Sequence, residues 1–171
     1  MVIRSDFRRA VFATQRVESS GRSIGRREYW KLYTIENVLR VVIHSILKDQ
    51  FPGPNWWTAA VDTKIQNRVS SIKADYATQP THTTPGRHEI YYVFLRDLIE
   101  IMRVNRKQIL PAIADLDQWL VRLERIRLSR NVVGHMNWLR GSDSRRVARL
   151  HEDLVRLVDQ LAEDGIDLEV P

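Results

Sequence analysis

The segment from Arg27 to Gln50 constrains this chain most. Leu32, Ile35, Leu39, Val42, Ile43 and Ile46 recur at threes and fours, the period of an α-helix with one buried face. A helix this apolar needs other helices or a sheet to cover it, and the rest of the chain offers helices. Val61, Ile65, Val69 and Ile72 repeat the spacing over 58–77. Tyr92, Leu95, Leu98, Ile99 and Met102 repeat it from Glu89 onward, as do Ile113, Leu116, Leu120, Leu123 and Ile126. Val147, Leu150, Leu154, Leu157, Val158 and Leu161 close the set over 144–163. No stretch requires a strand. The expected fold is all-α, a bundle of four or five helices.

The breaks between these runs follow from backbone chemistry. FPGPNWW, residues 51–57, ends the long helix, and its two tryptophans read as core anchors. TQPTHTTPGRH, residues 78–88, is a surface loop; its His82 and His88 have no carboxylates around them, and no metal site is expected. Pro111 suits a first helical turn, Ser142 or Asp143 a helix cap, and Gly165 a helix end. In residues 1–26, Ser19-Ser20-Gly21, Ser23 and Gly25 predict a loop. That region, which carries Arg4, Arg8, Arg9, Arg16, Arg22 and Arg26, is expected as a basic arm or short helix ahead of a domain spanning 27–171. Phe7, Val11 and Phe12 are its candidate apolar face.

Charge and composition narrow the function. The chain has 27 Lys plus Arg against 21 Asp plus Glu, and 22 of the basic residues are arginine. Arginine offers phosphate a planar fork of donors, which suits a nucleic-acid partner. With no cysteine, disulfide and thiolate chemistry are excluded. No apolar run approaches the roughly 20 residues of a membrane span, so a soluble cytoplasmic protein is expected. No helix-turn-helix pattern stands out to favour a DNA-binding regulator.

The polar residues that break the apolar pattern lie in two places. Glu36, Arg40 and His44 stand four apart along one stripe of the long helix, close to its apolar face. Late in the chain, RLSRNVVGHMNWL carries Arg130, Asn131 and His135. Arginine five residues before histidine occurs again at Arg146 and His151, but only the first pair has asparagine after the arginine and an apolar, glycine-containing insert. In a straight helix Arg130 and His135 sit roughly 140° apart around the axis, so they converge only if the helix breaks or two subunits supply them. Arg122, Arg125 and Arg127 precede the motif and are candidate RNA contacts.

The R-N-x-x-x-H spacing, the IENVLRVVI helix followed by Gly53, Trp56 and Trp57, and the DLIEIM run resemble the HEPN superfamily over residues 27–163. The resemblance implies a HEPN-like bundle and a homodimer whose motifs face each other across a cleft. It implies a metal-independent endoribonuclease without a cofactor, in which a ribose 2′-hydroxyl attacks the adjacent phosphate. His135 is then the general acid or base, Arg130 the phosphate-binding cation and Asn131 an orienting group, with Glu36 and Arg40 in support. A toxin or phage-defence role follows, with an antitoxin protein as a further partner. Toxins of this superfamily paired with a nucleotidyltransferase carry tyrosine two residues after the histidine, whereas this chain has Asn137. The other reading is a non-catalytic module of the same type that binds RNA or nucleotides, or dimerises.

Overall fold

The computed structural model describes residues 6–53 and 55–171. Arg4 and Pro54 lie outside them. Every regular element among the described residues is helical: α1 (Thr14–Ile24), α2 (Trp30–Gln50), α3 (Trp56–Ala60), α4 (Thr63–Ala77), α5 (Leu95–Val104), α6 (Arg106–Ile109), α7 (Leu116–Gly134) and α8 (Gly141–Glu163). Short 3-10 turns occur at Phe7–Arg9 and Glu89–Tyr92. The fold is the all-α bundle expected, with more segments because α3 and α6 are single turns.

α2 is the central rod, packed against α5, α6 and α8. Leu39, Val42 and Leu47 are sealed from solvent, and Ile35 and Ile43 nearly so. Fully burying one such side chain contributes on the order of 2 kcal/mol. Trp56 and Trp57 are buried beside this helix, so both tryptophans belong to the core. Asn55 caps their short helix by accepting from the Trp57 amide at 3.1 Å. Asp62 does the same for α4, accepting from the Lys64 amide at 2.8 Å.

The loop expected at 19–25 is absent. α1 runs into α2 through a π-helical turn, Gly25–Tyr29, so the chain is helical without a break from Thr14 to Gln50. The serines and glycines here are tolerated because Ser20 turns inward to accept from the Phe7 amide at 3.1 Å. One turn on, buried Glu28 accepts from the Ser144 hydroxyl at 2.7 Å, which pins the π turn to α8. Residues 6–26 therefore contain a short helix, α1, held to the rest of the chain by these contacts. Val11 and Phe12 form no apolar helical face; both are exposed beyond a 3-10 turn.

Three helix starts differ from expectation, the first being α5, which begins at Leu95 after the 3-10 turn Glu89–Tyr92 rather than at Glu89. α5 stops at Val104 because buried Asn105 bends its amide back to donate to Ile101 and Ala60 carbonyls, at 2.9 and 2.8 Å. Pro111 lies in the turn before α7, not in its first turn, which begins at Leu116. α8 starts at Gly141, so Ser142 and Asp143 sit inside its first turn and neither caps it. Asp143 instead pairs with Arg146 at 2.6 Å, near the positive pole of the helix. The second arginine–histidine pair is thereby accounted for: His151 packs edge-on against Trp30, with ring centroids 4.9 Å apart.

His44, third in the polar stripe, is a core residue. Its Nδ1 accepts from Trp56 Nε1 at 3.0 Å, and His88 stacks on Trp56 with centroids 5.3 Å apart. Burial lowers the His44 pKa to about 4, helped by nearby His88 and Lys48. Unfolded, the same imidazole titrates near 6.5. As pH falls from 6.5 toward 4, the unfolded chain takes a proton that the fold refuses, and stability drops by about 3 kcal/mol in total. Urea unfolding at pH 7.5 and 4.5 measures this drop. His44→Gln, which keeps an acceptor for Trp56, should flatten it; an unchanged slope would refute the assignment.

Candidate functional site

A hollow of about 560 Å³ opens between the α1–α2 helix and the end of α7. One edge is a row spaced by four residues: Gly21, Gly25, Tyr29, Tyr33 and Asn37. Tyr91 and Pro85 come from the segment after α4, and Val133, Gly134 and Met136 from the end of α7. Glu36, Arg40 and Arg130 supply its charge.

These three form one network. Arg130 Nε donates to Glu36 Oε1 at 2.6 Å, and Arg40 Nη2 to Glu36 Oε2 at 3.3 Å. Glu36 and Arg40 are buried, while Arg130 is about one third exposed. Arg40 has committed every nitrogen: Nε donates to the Ile90 carbonyl, Nη1 to Asn37 Oδ1 and Nη2 also to the Val93 carbonyl, at 3.1–3.2 Å. Burial lowers the Arg40 pKa, with Glu36 pulling it back up; the guanidinium stays charged. Among the described residues Arg130 has no partner besides Glu36, which leaves both terminal nitrogens free. One carboxylate between two guanidiniums leaves one net positive charge in the cleft.

The sequence-predicted residues do not all gather here. Glu36, Arg40 and Arg130 meet, as their spacing on two helices allows. Asn131 is exposed and faces a second hollow of about 290 Å³, lined also by Arg68, Arg96, Arg127 and Arg130. His135 follows the last residue of α7 and is exposed; its ring makes no hydrogen bond or ion pair among the described residues. Its neighbours Gly134 and Met136 line the cleft while His135 does not. α7 is unbroken to Gly134, so within one chain Arg130 and His135 point apart.

The three arginines ahead of the motif divide between two faces. Arg122 pairs with Asp153 and lies over Trp119, 5.0 Å from the ring centroid. Arg122 and Arg125 line a groove between α7 and α8 together with Arg146 and Arg149. Arg127 turns the other way, paired with Glu124 at 2.8 Å. Of these groups Arg125 and Arg149 are exposed and unpaired among the described residues.

Tyr29, Tyr33, Tyr91, Asn37 and Gly134 were not anticipated as site residues. The spacing of the row from Gly21 to Asn37 carries the signal, but it crosses the segment expected as a loop. Gly134 has a plain physical role. A Cβ there would stand 3.3 Å from Arg130 Nη1, so glycine keeps the guanidinium uncovered. No group of histidines and carboxylates able to hold a metal ion occurs among the described residues. No helix is long and apolar enough to cross a membrane. No family model, curated protein or solved structure matches the chain.

The end of α7 is strained. The Met136 amide donates to the Val133 carbonyl and the Asn137 amide to Val132, a Schellman closure whose pivot must be left-handed. α8 ends in the same pattern, with Gly165 at φ 77° as the pivot. In α7 the pivot is Met136, at φ 58°. A side chain in that region costs roughly 1 kcal/mol. Met136→Gly should therefore raise stability by about 1 kcal/mol, a melting rise of roughly 2–4 °C. Thermal unfolding checks it; a lower melting temperature would mean the methionine packs more than it strains.

The network predicts unequal costs. Glu36→Ala leaves buried Arg40 without its counter-charge and should cost about 3–5 kcal/mol. Arg130→Ala removes a partly exposed group and should cost only about 1 kcal/mol. Urea midpoints of the two variants give the comparison; equal losses would contradict the burial argument.

Proposed function

We propose that this chain is a metal-independent endoribonuclease acting as a homodimer, with a site composed across the two copies. The observation that carries the reading is Arg130: it is fixed through Nε by a buried glutamate and presents both terminal nitrogens to solvent at the helix end that bears an unencumbered histidine. The resemblance of Arg130-Asn131-x-x-x-His135 to the HEPN pattern supports the same chemistry.

The proposed reaction needs two groups that one chain holds apart. Arg130 grips the phosphate in a bidentate fork and stabilises the charge that builds on phosphorus as the ribose 2′-oxygen attacks. His135 of one copy takes the 2′-hydroxyl proton, and His135 of the other returns a proton to the departing 5′-oxygen. The 2′-oxygen–phosphorus bond forms and the phosphorus–5′-oxygen bond breaks, leaving a 2′,3′-cyclic phosphate and a 5′-hydroxyl. Asn131, exposed beside Arg130, orients the phosphate. A second copy fits α7, where Val121, Leu128 and Val132 form an exposed apolar stripe at helical spacing. Arg149 supplies unpaired charge for the strand outside the site. A toxin or phage-defence role, with an antitoxin as partner, is the biological setting this reading proposes.

One observation favours the alternative. Glu36 is saturated by Arg40 and Arg130, and such a bridge ties α2 to α7 whether or not RNA is cut. The chain is then a non-catalytic module of HEPN type that binds RNA or nucleotides, or dimerises.

RNA cleavage in EDTA separates the two. Wild-type protein should leave 2′,3′-cyclic phosphate ends. His135→Ala should lose about 10²–10⁴-fold in rate, and Arg130→Ala about 10²–10³-fold, both with folding intact. Absence of cutting by a folded dimer would select the binding module.

A further inference from the structure

We infer that the cleft between α2 and α7 binds a planar heteroaromatic ring carrying a phosphate, that is, one nucleoside monophosphate unit, with the phosphate on Arg130 and the ring against Tyr33. This deepens the ribonuclease reading, on which it rests for the source of the unit in RNA. The same chemistry is met by a free mononucleotide.

The argument is an inventory of what the cleft leaves unsatisfied. Of its two guanidiniums, Arg40 has spent all three nitrogens on protein oxygens, while Arg130 has spent only Nε. With Glu36 between them the site holds one uncompensated positive charge. That charge calls for one anionic group, not a run of phosphates. Gly134 keeps a side chain off Arg130 Nη1, so the fork is reachable from inside the cleft. The rest of the wall is largely hydrocarbon and aromatic: Ile24, Leu32, Val133, Tyr29, Tyr33 and Tyr91. Tyr29 and Tyr33 are more than half exposed, though large aromatic groups gain by burial. Their hydroxyls, and that of Tyr91, hold no hydrogen bond among the described residues.

The space fits one small ligand. A volume of about 560 Å³ lies within the roughly 300–1,000 Å³ typical of small-molecule sites. The row above it is glycine at 21 and 25, and a Cβ at either would meet nothing within 4 Å. No side chain crowds the cleft at these two positions. A flat ring stacks on tyrosine whatever its identity, which makes the cleft tolerant of base type.

Calorimetry with adenosine monophosphate, uridine monophosphate, adenosine, ribose 5-phosphate and inorganic phosphate tests the chemistry. Both mononucleotides should bind, and ribose 5-phosphate and phosphate about tenfold or more weakly, as expected for loss of one stacked base. Tyr33→Ala should cost about tenfold and Tyr33→Phe should restore binding, since stacking needs the ring and not the hydroxyl. Arg130→Ala should erase the preference for adenosine monophosphate over adenosine. A second arm uses short oligoribonucleotides with a single abasic position moved along the strand. A position-specific loss that vanishes in Tyr33→Ala assigns the unit to RNA; mononucleotide binding without that loss assigns it to a free nucleotide.

Ribose 5-phosphate binding as tightly as adenosine monophosphate, or Tyr33→Ala matching wild type in both arms, overturns the inference. Cleavage of the same oligonucleotides in EDTA keeps the two readings apart. Cutting that ignores abasic positions and Tyr33 removes the cleft and leaves the ribonuclease. Tyr33-dependent nucleotide binding without any cutting does the reverse.

Discussion

The structure depends on one carboxylate shared by two guanidiniums. Glu36 sits where the central helix would otherwise be apolar, and it holds Arg40 on its own helix and Arg130 on α7. Desolvating such charges is costly, and an ion pair of this kind lowers stability unless its remaining donors are met. Arg40 meets that condition through the carbonyls of Ile90 and Val93. The network thus fixes three segments against one another: α2, the 3-10 turn before α5, and α7. It also confers an asymmetry. Arg40 is wholly internal, whereas Arg130 is anchored at one end and open at the other. Rigidity at Nε and freedom at the terminal nitrogens is the combination a preorganised anion contact requires.

Much of the architecture was legible because helical period and burial are tightly coupled. Leu32 to Ile46 placed α2, and Val147 to Leu161 placed α8, since only a buried stripe sustains that spacing. The polar stripe of Glu36 and Arg40 was legible for the inverse reason: charge close to an apolar face needs a partner. What failed were positions where tertiary contacts outweigh local preference. Ser20 and Gly25 read as loop residues, yet a long helix runs through them because Ser20 and Glu28 find partners distant in sequence. Pro111 and Asp143 were assigned to helix starts by local chemistry that Leu116 and Gly141 pre-empt.

The candidate site was legible in part for a similar reason. Glu36, Arg40 and Arg130 announce themselves by charge within apolar context. His135 was found by spacing, and spacing does not say which way a residue faces; the unbroken α7 turns it from the cleft. The arginines before the motif illustrate the same limit. Arg122 and Arg125 share a face with Arg146 and Arg149, while Arg127, only two positions on, is carried about 200° around the helix from Arg125. Charge density along a sequence does not reveal whether the charges share a surface.

The π turn at Gly25–Tyr29 fixes the chain length here to the residue. A π turn holds one more residue than the α-helix around it. Removing that residue would rotate everything before it by about 100° and draw it in by about 1.5 Å. α2 would stay seated, but Gly21 would swing off the cleft, and Ser20 would lose the Phe7 amide. In this segment substitutions act locally, whereas an insertion or deletion acts as a wrench on the whole amino-terminal helix. The tolerance of the region is therefore set by residue number far more than by residue type.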